Sequence, residues 1–382
     1  MKRQNPHKLF ALLTGILLVC ALCFSAAAES AGNDFVIDGT TLVRYTGSGG
    51  EVTVPEGIEE LAEGAFERSA VTKVNLPETL KEIRSYCFLE CKELTEITLP
   101  ASLTELEYCY DEKYNGGKCG QAQVFGRNPK LRAINVAEGN PKYQSIDGVL
   151  FTADGKTLLY FPGGKNQNEG YVIPEGTEKI DSSAFCGASI TSVSLPSTLS
   201  EQVWNNTFSS IPTLKEFSVA PASQYYSAED GVLYYNHETL LSYPCAKEAE
   251  HLGPENFPQG LKYIYAWAFQ GVENLKSVEL PEGVRSIGQL CFTFSESLES
   301  VTVPASVESI ESYAFADCAA LKEVVLLNPE VAIALDEEMI DTDYSCNVLE
   351  YSPDAVLRGY AGSTAEVYAE KLDLPFESIP KE

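Results

Sequence analysis

The chain has 382 residues, of which 44% are apolar and 21% charged, a globular composition that excludes a disordered chain. Its 27 Lys and Arg against 55 Asp and Glu give a formal charge of −28. A surface of that sign repels phosphate backbones and anionic lipids, so nucleic acid is not an expected partner.

At the N-terminus, Lys2, Arg3 and Lys8 precede an apolar run over residues 9–24, and small residues follow at Ser25, Ala26, Ala27 and Ala28. This is the pattern of a secretory signal peptide over residues 1–28, with cleavage expected after Ala28. The apolar run is short for a transmembrane span of roughly 20 residues. Val19 precedes Cys20 and Leu22 precedes Cys23, where a lipobox needs a small residue, so lipidation is not expected. No second long apolar run occurs, and residues 377–382 form neither a hydrophobic tail nor a sorting motif. The mature chain is therefore expected to be secreted or extracellular and surface-associated, without membrane insertion.

A repeat of about 23 residues follows. Pro55, Pro77 and Pro100 mark it, then Pro174 and Pro196, then Pro281 and Pro304. Phenylalanine keeps the same beat at Phe66 and Phe88, Phe185 and Phe208, and Phe269, Phe292 and Phe315. A fixed period between about 20 and 29 with leucine at strand-like spacing predicts a leucine-rich solenoid. Within Leu94-Thr95-Glu96-Ile97-Thr98-Leu99 the last four residues alternate, so a short strand is expected to bury Ile97 and Leu99 and show Glu96 and Thr98. Proline lacks the N–H for a ladder and ends the strand. Roughly eleven strands at about 4.8 Å predict a body of about 50 Å. Phe88, Phe292 and Phe315 are expected to be equivalent core residues.

Two segments break the beat. Between Leu106 and Val124 lies a polar loop carrying Tyr108, Tyr110 and Tyr114 and flanked by Cys109 and Cys119, which a disulfide could join. The absence of a CxxC pair or a histidine at ligand spacing makes zinc a weaker reading. Insertions map to one edge of a solenoid, often the binding edge, although elongation by drift gives the same pattern. Over residues 246–258 an irregular segment is expected in place of a strand unit. Cys87, Cys91, Cys291 and Cys318 sit at fixed offsets from repeat phenylalanines and read as buried free thiols.

The string LPETLKEIRSYCFLECKELTEITLP over residues 76–100 resembles the BspA-type leucine-rich repeats of secreted and surface proteins. Residues 143–151 and 226–234, each centred on Asp-Gly-Val-Leu, resemble the hairpin inserts of that family, and residues 356–369 resemble its terminal unit. The resemblance implies a β-rich solenoid with an N-terminal hairpin or cap at 29–55. Repeats follow over 56–350 with hairpin inserts near 143–162 and 225–244, and a capping unit over 351–382 carries a small helix from about Thr364. It further implies a recognition scaffold, since members are implicated in adhesion to host proteins and to other cells.

Catalytic signatures are sparse. Only His237 and His251 survive signal cleavage, and no G-x-S-x-G or H-E-x-x-H occurs. Cys245 lies near His251 along the chain, which is not a catalytic constellation. Asp341-x-Asp343-x-Ser345 begins like a calcium loop but has Cys346 where glycine is needed and Ser352 where glutamate is needed. No catalytic residue, metal or cofactor is expected, and the chain is read as a non-enzyme. The outward strand positions are small, polar and weakly acidic. Aromatic contact candidates are the insert tyrosines, Tyr225 and Tyr226, and Tyr263, Tyr265 and Trp267. The expected function is adhesin-like recognition of a host or cell-surface protein or glycan, with a secreted accessory scaffold or polymer-capture module as the alternative. The expected contact set is Tyr108, Tyr110 and Tyr114 together with Glu96 and Thr98.

Overall fold

In the strand Glu96–Leu99, Glu96 and Thr98 are exposed while Ile97 and Leu99 are buried, as the alternation requires. Ile97 pairs in parallel register with Val74 of the preceding turn and Ile134 of the following one, so apolar side chains stack over one another along the axis. A single turn cannot cover its own apolar residues, and stability resides in this stacking. The computed structural model describes residues 34–107, 109–110, 118–119, 122–203, 207–209, 211–335 and 347–380. The proposed signal peptide over residues 1–28 lies outside them.

The chain is a β-solenoid of the leucine-rich repeat type. Its long face is a ladder of thirteen strands among the described residues, in sheets of four, three and six. That exceeds the eleven expected. One strand added is His251–Leu252, which pairs in parallel with Ser277–Glu279, so the segment read as irregular keeps a strand because Leu252 buries itself beside Val278. Past the proline corner most turns contribute a two-residue strand, such as Glu82–Ile83, Glu105–Leu106 or Ser286–Ile287, to the ladders that form the short face.

The third side of each turn carries the repeat phenylalanine. Phe66, Phe88 and Phe125 stack with centroids 5.2 and 5.8 Å apart, and Phe269, Phe292 and Phe315 at 4.8 and 5.5 Å. The corner around the regular repeat rings is made by left-handed residues two before and two after them. Tyr86 and Glu90 flank Phe88 at φ 59° and 57°, and Leu290 and Phe294 flank Phe292 at 55° and 60°. Cys87, Cys91, Cys291 and Cys318 are fully buried free thiols beside these rings. The Cys91 and Cys318 thiols donate to the carbonyls of Phe66 and Phe292 at 3.0 and 3.1 Å, the same contact in two units. Burial pushes the Cys318 thiol up to about 12.

Hairpins punctuate the stack, among them Phe35–Asp38 with Thr41–Tyr45, Tyr143–Ile146 with Val149–Thr152, and Tyr226–Glu229 with Val232–Tyr235. The last two close the block before them in the same way. Their turns are Asp147-Gly148 and Asp230-Gly231, all at positive φ. The carbonyls of Gly148 and Gly231 accept from the N–H groups of Ile134 and Phe217 on the long face, each at 2.8 Å. On the short face, the N–H groups of Leu106 and Val203 donate to the hydroxyls of Tyr143 and Tyr226, each at 3.0 Å. A Cβ on Gly148 would lie 2.9 Å from the Ala133 Cβ, so glycine lets the tip meet the strand. Lys165 and Lys247 then pair with Asp147 and Asp230 at 2.9 and 3.0 Å. The apolar core is divided at these hairpins into three clusters. After the last turns a helix, Thr364–Leu372, capped by Ser363, buries Ala365, Tyr368 and Ala369 against the end of the stack.

Candidate interaction surfaces

The long face presents two outward columns. In the first, Lys73 pairs with Glu96 and Glu96 with Ala133, and in the last block Ser277, Ser300, Glu323 and Val356 follow one another. In the second, Thr98 pairs with Asn135, Ser194 with Ser218, and Glu279 with Thr302. Neighbours bond along a column, as in Ser194 to Ser218 at 2.7 Å, and between the columns, as in Arg358 to Glu323 at 2.7 Å. Glu96 and Thr98 line, with Lys73 and Asn75, a hollow of about 140 Å³. That is below the roughly 300 Å³ at which small-molecule sites begin, so this face suits an extended contact and not an enclosed ligand.

The insert leaves from the other face. It begins after Glu105–Leu106, which belongs to the short-face sheet, whereas Glu96–Leu99 belongs to the long face. The described residues thus separate Glu96 and Thr98 from the start of the insert by the proline corner. Cys109–Tyr110 pairs antiparallel with Lys118–Cys119, and the register sets Cys119 opposite Cys109. Directly opposed residues stand about 4.5–5.5 Å apart at Cα, inside the range a disulfide spans. Tyr108 and Tyr114 lie outside the described residues, as does the segment with Asp341, Asp343 and Cys346.

Histidine and thiol chemistry do not converge. The Cys245 thiol is buried against the carbonyls of Ser209 and Gln270, and burial raises it to about 11. His251 lies exposed on the long face, its Nδ1 2.8 Å from the Ser277 hydroxyl. His237 occupies a left-handed turn position at φ 60°. Among the described residues no group of three His, Cys, Asp or Glu is placed to hold a metal ion.

A larger concavity lies on the short face beside the second hairpin. Tyr235, Tyr263 and Tyr265 line it with Gln202, Gln289 and Glu311, and its volume is about 440 Å³. Tyr263 is 38% exposed and Tyr265 half-buried, while Tyr226, an aromatic candidate from the sequence, is buried at 3%. The Tyr226 hydroxyl donates to the Glu201 carbonyl at 2.5 Å and accepts from Val203 N–H, so it holds the backbone on both sides of Gln202. Sequence reasoning named Tyr263 and Tyr265 but missed Gln202, Gln289 and Glu311, which carry no local motif.

A family model described as BspA type leucine rich repeat region matches residues 45–113, 164–253 and 248–334, in six copies. A leucine-rich repeat protein from Eubacterium ventriosum is similar in structure at 18% identity, with 91% of this chain and 83% of that chain covered and a TM-score of 0.54. A leucine rich cell surface protein from Faecalibacterium prausnitzii is 18% identical over 92% of this chain and 99% of that one, at a TM-score of 0.47. The pneumococcal vaccine antigen PcpA is 20% identical over 87% of this chain and 68% of that one, at 0.46. No curated protein matches the sequence.

Proposed function

The chain belongs to the BspA-type leucine-rich repeat family, and from that premise we propose that it is an exported, non-enzymatic recognition protein that binds a host or cell-surface protein or glycan. The observation that carries this reading is the long face. Thirteen strands hold two columns of mostly polar side chains in register within each sheet, and Glu96, Thr98, Glu216 and Ser218 on it are exposed. A large preformed surface binds without first ordering its own backbone. No described helix is long and apolar enough to cross a membrane. The tyrosine-bearing insert over residues 108–119 is a second contact element, since tyrosine gives large contact area at low entropic cost.

Labelled protein spanning residues 29–382, applied to epithelial and bacterial cells, tests the reading. Saturable binding is expected, weakened by Thr98→Arg on the long face or by deletion of residues 111–118. Binding that neither folded variant alters would remove both surfaces from the contact. Fractionation of the source cells checks export: retention at the surface fits an adhesin, release into the medium fits a capture factor, and a cytoplasmic chain would overturn the proposal.

A further inference from the structure

We propose that the short-face groove at the second hairpin binds a neutral, pyranose-based oligosaccharide. This deepens the recognition reading, on which its biological setting rests, but concerns a different surface from the long face.

The groove combines side chains that match a sugar ring. Tyr263 and Tyr265 supply aromatic rings and Tyr235 forms the wall beside them, and a pyranose presents C–H groups from one face that pack on such rings. Gln202 and Gln289 supply amides, which donate and accept, and Glu311 a carboxylate, which accepts, so planar groups are present for the paired hydrogen bonds of neighbouring ring hydroxyls. Among the described residues these three side chains make no hydrogen bond or ion pair with the rest of the protein, and all three are exposed. At about 440 Å³ the groove falls within the roughly 300–1,000 Å³ of small-molecule sites.

It is also built before any ligand arrives. The Tyr235 ring is fixed between Tyr226, edge-on at 5.3 Å, and Tyr225, stacked at 6.2 Å. Along the short face, Tyr265, Gly288 and Glu311 occupy successive turns, each donating its N–H to the turn before it. A Cβ on Gly288 would lie 2.4 Å from the Ala266 nitrogen, so glycine both draws these turns together and leaves a notch between the Tyr265 ring and the Glu311 carboxylate. The matching column in the first block reads Ala62, Arg84 and Glu107, where Arg84 pairs with Glu60 at 2.5 Å.

Charge and topology exclude the other occupants. Among the described residues Glu311 is the only charged side chain lining the groove, in a chain of formal charge −28, so phosphorylated, sialylated and sulfated ligands meet no cation there. The strands beneath it, Thr239–Ser242, Tyr263–Ile264, Ser286–Ile287 and Ser309–Ile310, are each paired with the next, so no free edge is offered for strand addition by a peptide.

The test uses protein spanning residues 29–382 on an array of neutral, sialylated and sulfated oligosaccharides, with the best neutral binder then titrated in solution. Neutral glycans are expected to bind. Tyr263→Ala is expected to weaken that binding about tenfold, Glu311→Gln and Gln289→Ala are expected to weaken it measurably, and Tyr263→Trp to retain it. Val367→Ser, at an exposed helix position far along the chain, serves as the unaltered control. Tyr263, Gln289 and Glu311 are exposed, so matched melting curves are expected, and any one folded groove variant suffices. The proposal is overturned if no neutral glycan binds, if acidic glycans bind better, if folded Tyr263→Ala, Glu311→Gln or Gln289→Ala protein binds as the parent does, or if an extended peptide displaces the sugar. Because the titration needs no cell, failed cell attachment with intact sugar binding overturns only the adhesin reading, and the reverse outcome overturns only this one.

Discussion

Replacing Phe292 by alanine should destabilise the last block of the solenoid and leave the first intact. The ring is fully buried and stacked between Phe269 at 4.8 Å and Phe315 at 5.5 Å, inclined by only 12° and 17°. Truncation of a buried phenylalanine costs about 3–5 kcal/mol, and the loss of two ring contacts places this site in the upper half of that range. The cavity cannot close by collapse, because the backbone of each neighbouring ring is bonded to the following turn: Phe269 N–H donates to the Cys291 carbonyl at 2.8 Å and Phe315 N–H to the Val348 carbonyl at 2.9 Å. Phe292→Leu keeps most of the volume and should cost about 1–2 kcal/mol. Urea unfolding followed by Trp267 emission in a Trp204→Phe background reads the affected block, and hydrogen exchange reads each block separately. The three core clusters meet only at the hairpins, so amide protection over residues 71–134 should persist where protection over residues 264–326 falls. A loss below about 1 kcal/mol, or an equal fall in both regions, would refute the reasoning.

The hairpin tips give a second expectation. Gly148→Ala at φ 77° meets the Ala133 Cβ at 2.9 Å, whereas Gly176→Ala at φ 95° meets nothing within 4 Å, so the first should lower the melting temperature more than the second. Equal shifts would mean that backbone strain alone operates. A third concerns acid. Arg127, then Arg68, hydrogen-bond Glu90 and hold its carboxyl below the usual carboxylate range. Its stabilising contribution is present above the ordinary carboxylate value and lost as pH falls through the lowered one. Glu90→Gln should therefore flatten the acid limb of a stability-against-pH curve, and an unchanged limb would count against the pairing. A fourth concerns thiols. Burial raises Cys87 and Cys291 well above the ordinary thiol range, so iodoacetamide at pH 8 should leave both unlabelled in folded protein and label them after unfolding, as mass spectrometry of peptides would show. Labelling at equal rates in both states would place them outside the core.

The solenoid was legible because its punctuation is chemical: proline marks a residue that cannot continue a ladder, and the repeat phenylalanines mark a position with no access to water. The corners were not legible. Tyr86, Trp267 and Leu290 adopt left-handed backbone without any glycine to announce it, since the stacked turns on either side impose the conformation. The hairpins could be recognised as inserts, but their closing of both ladders depends on contacts such as Tyr143 hydroxyl to Leu106 N–H across 37 residues. Glu96 and Thr98 were joined to the insert on proximity along the chain, and a proline corner lies between them and the strand from which the insert departs. The groove is harder still to read. The pair Tyr263 and Tyr265 was visible, whereas its partners arrive from a hairpin and from two later turns, which no local pattern connects.

Each inner hairpin satisfies the last donors of the turns before it and starts a fresh ladder for those after it. A single turn removed from the middle of a block only shortens it, but a break at a hairpin leaves the preceding turns with open donors on both faces. A gene for such a chain can therefore lengthen by whole cassettes, each bringing its own closure, without exposing a sticky β-edge during the change. Variation in reach along this architecture then proceeds in block-sized increments, and the seams where new material enters are the same places where the surface departs from regularity.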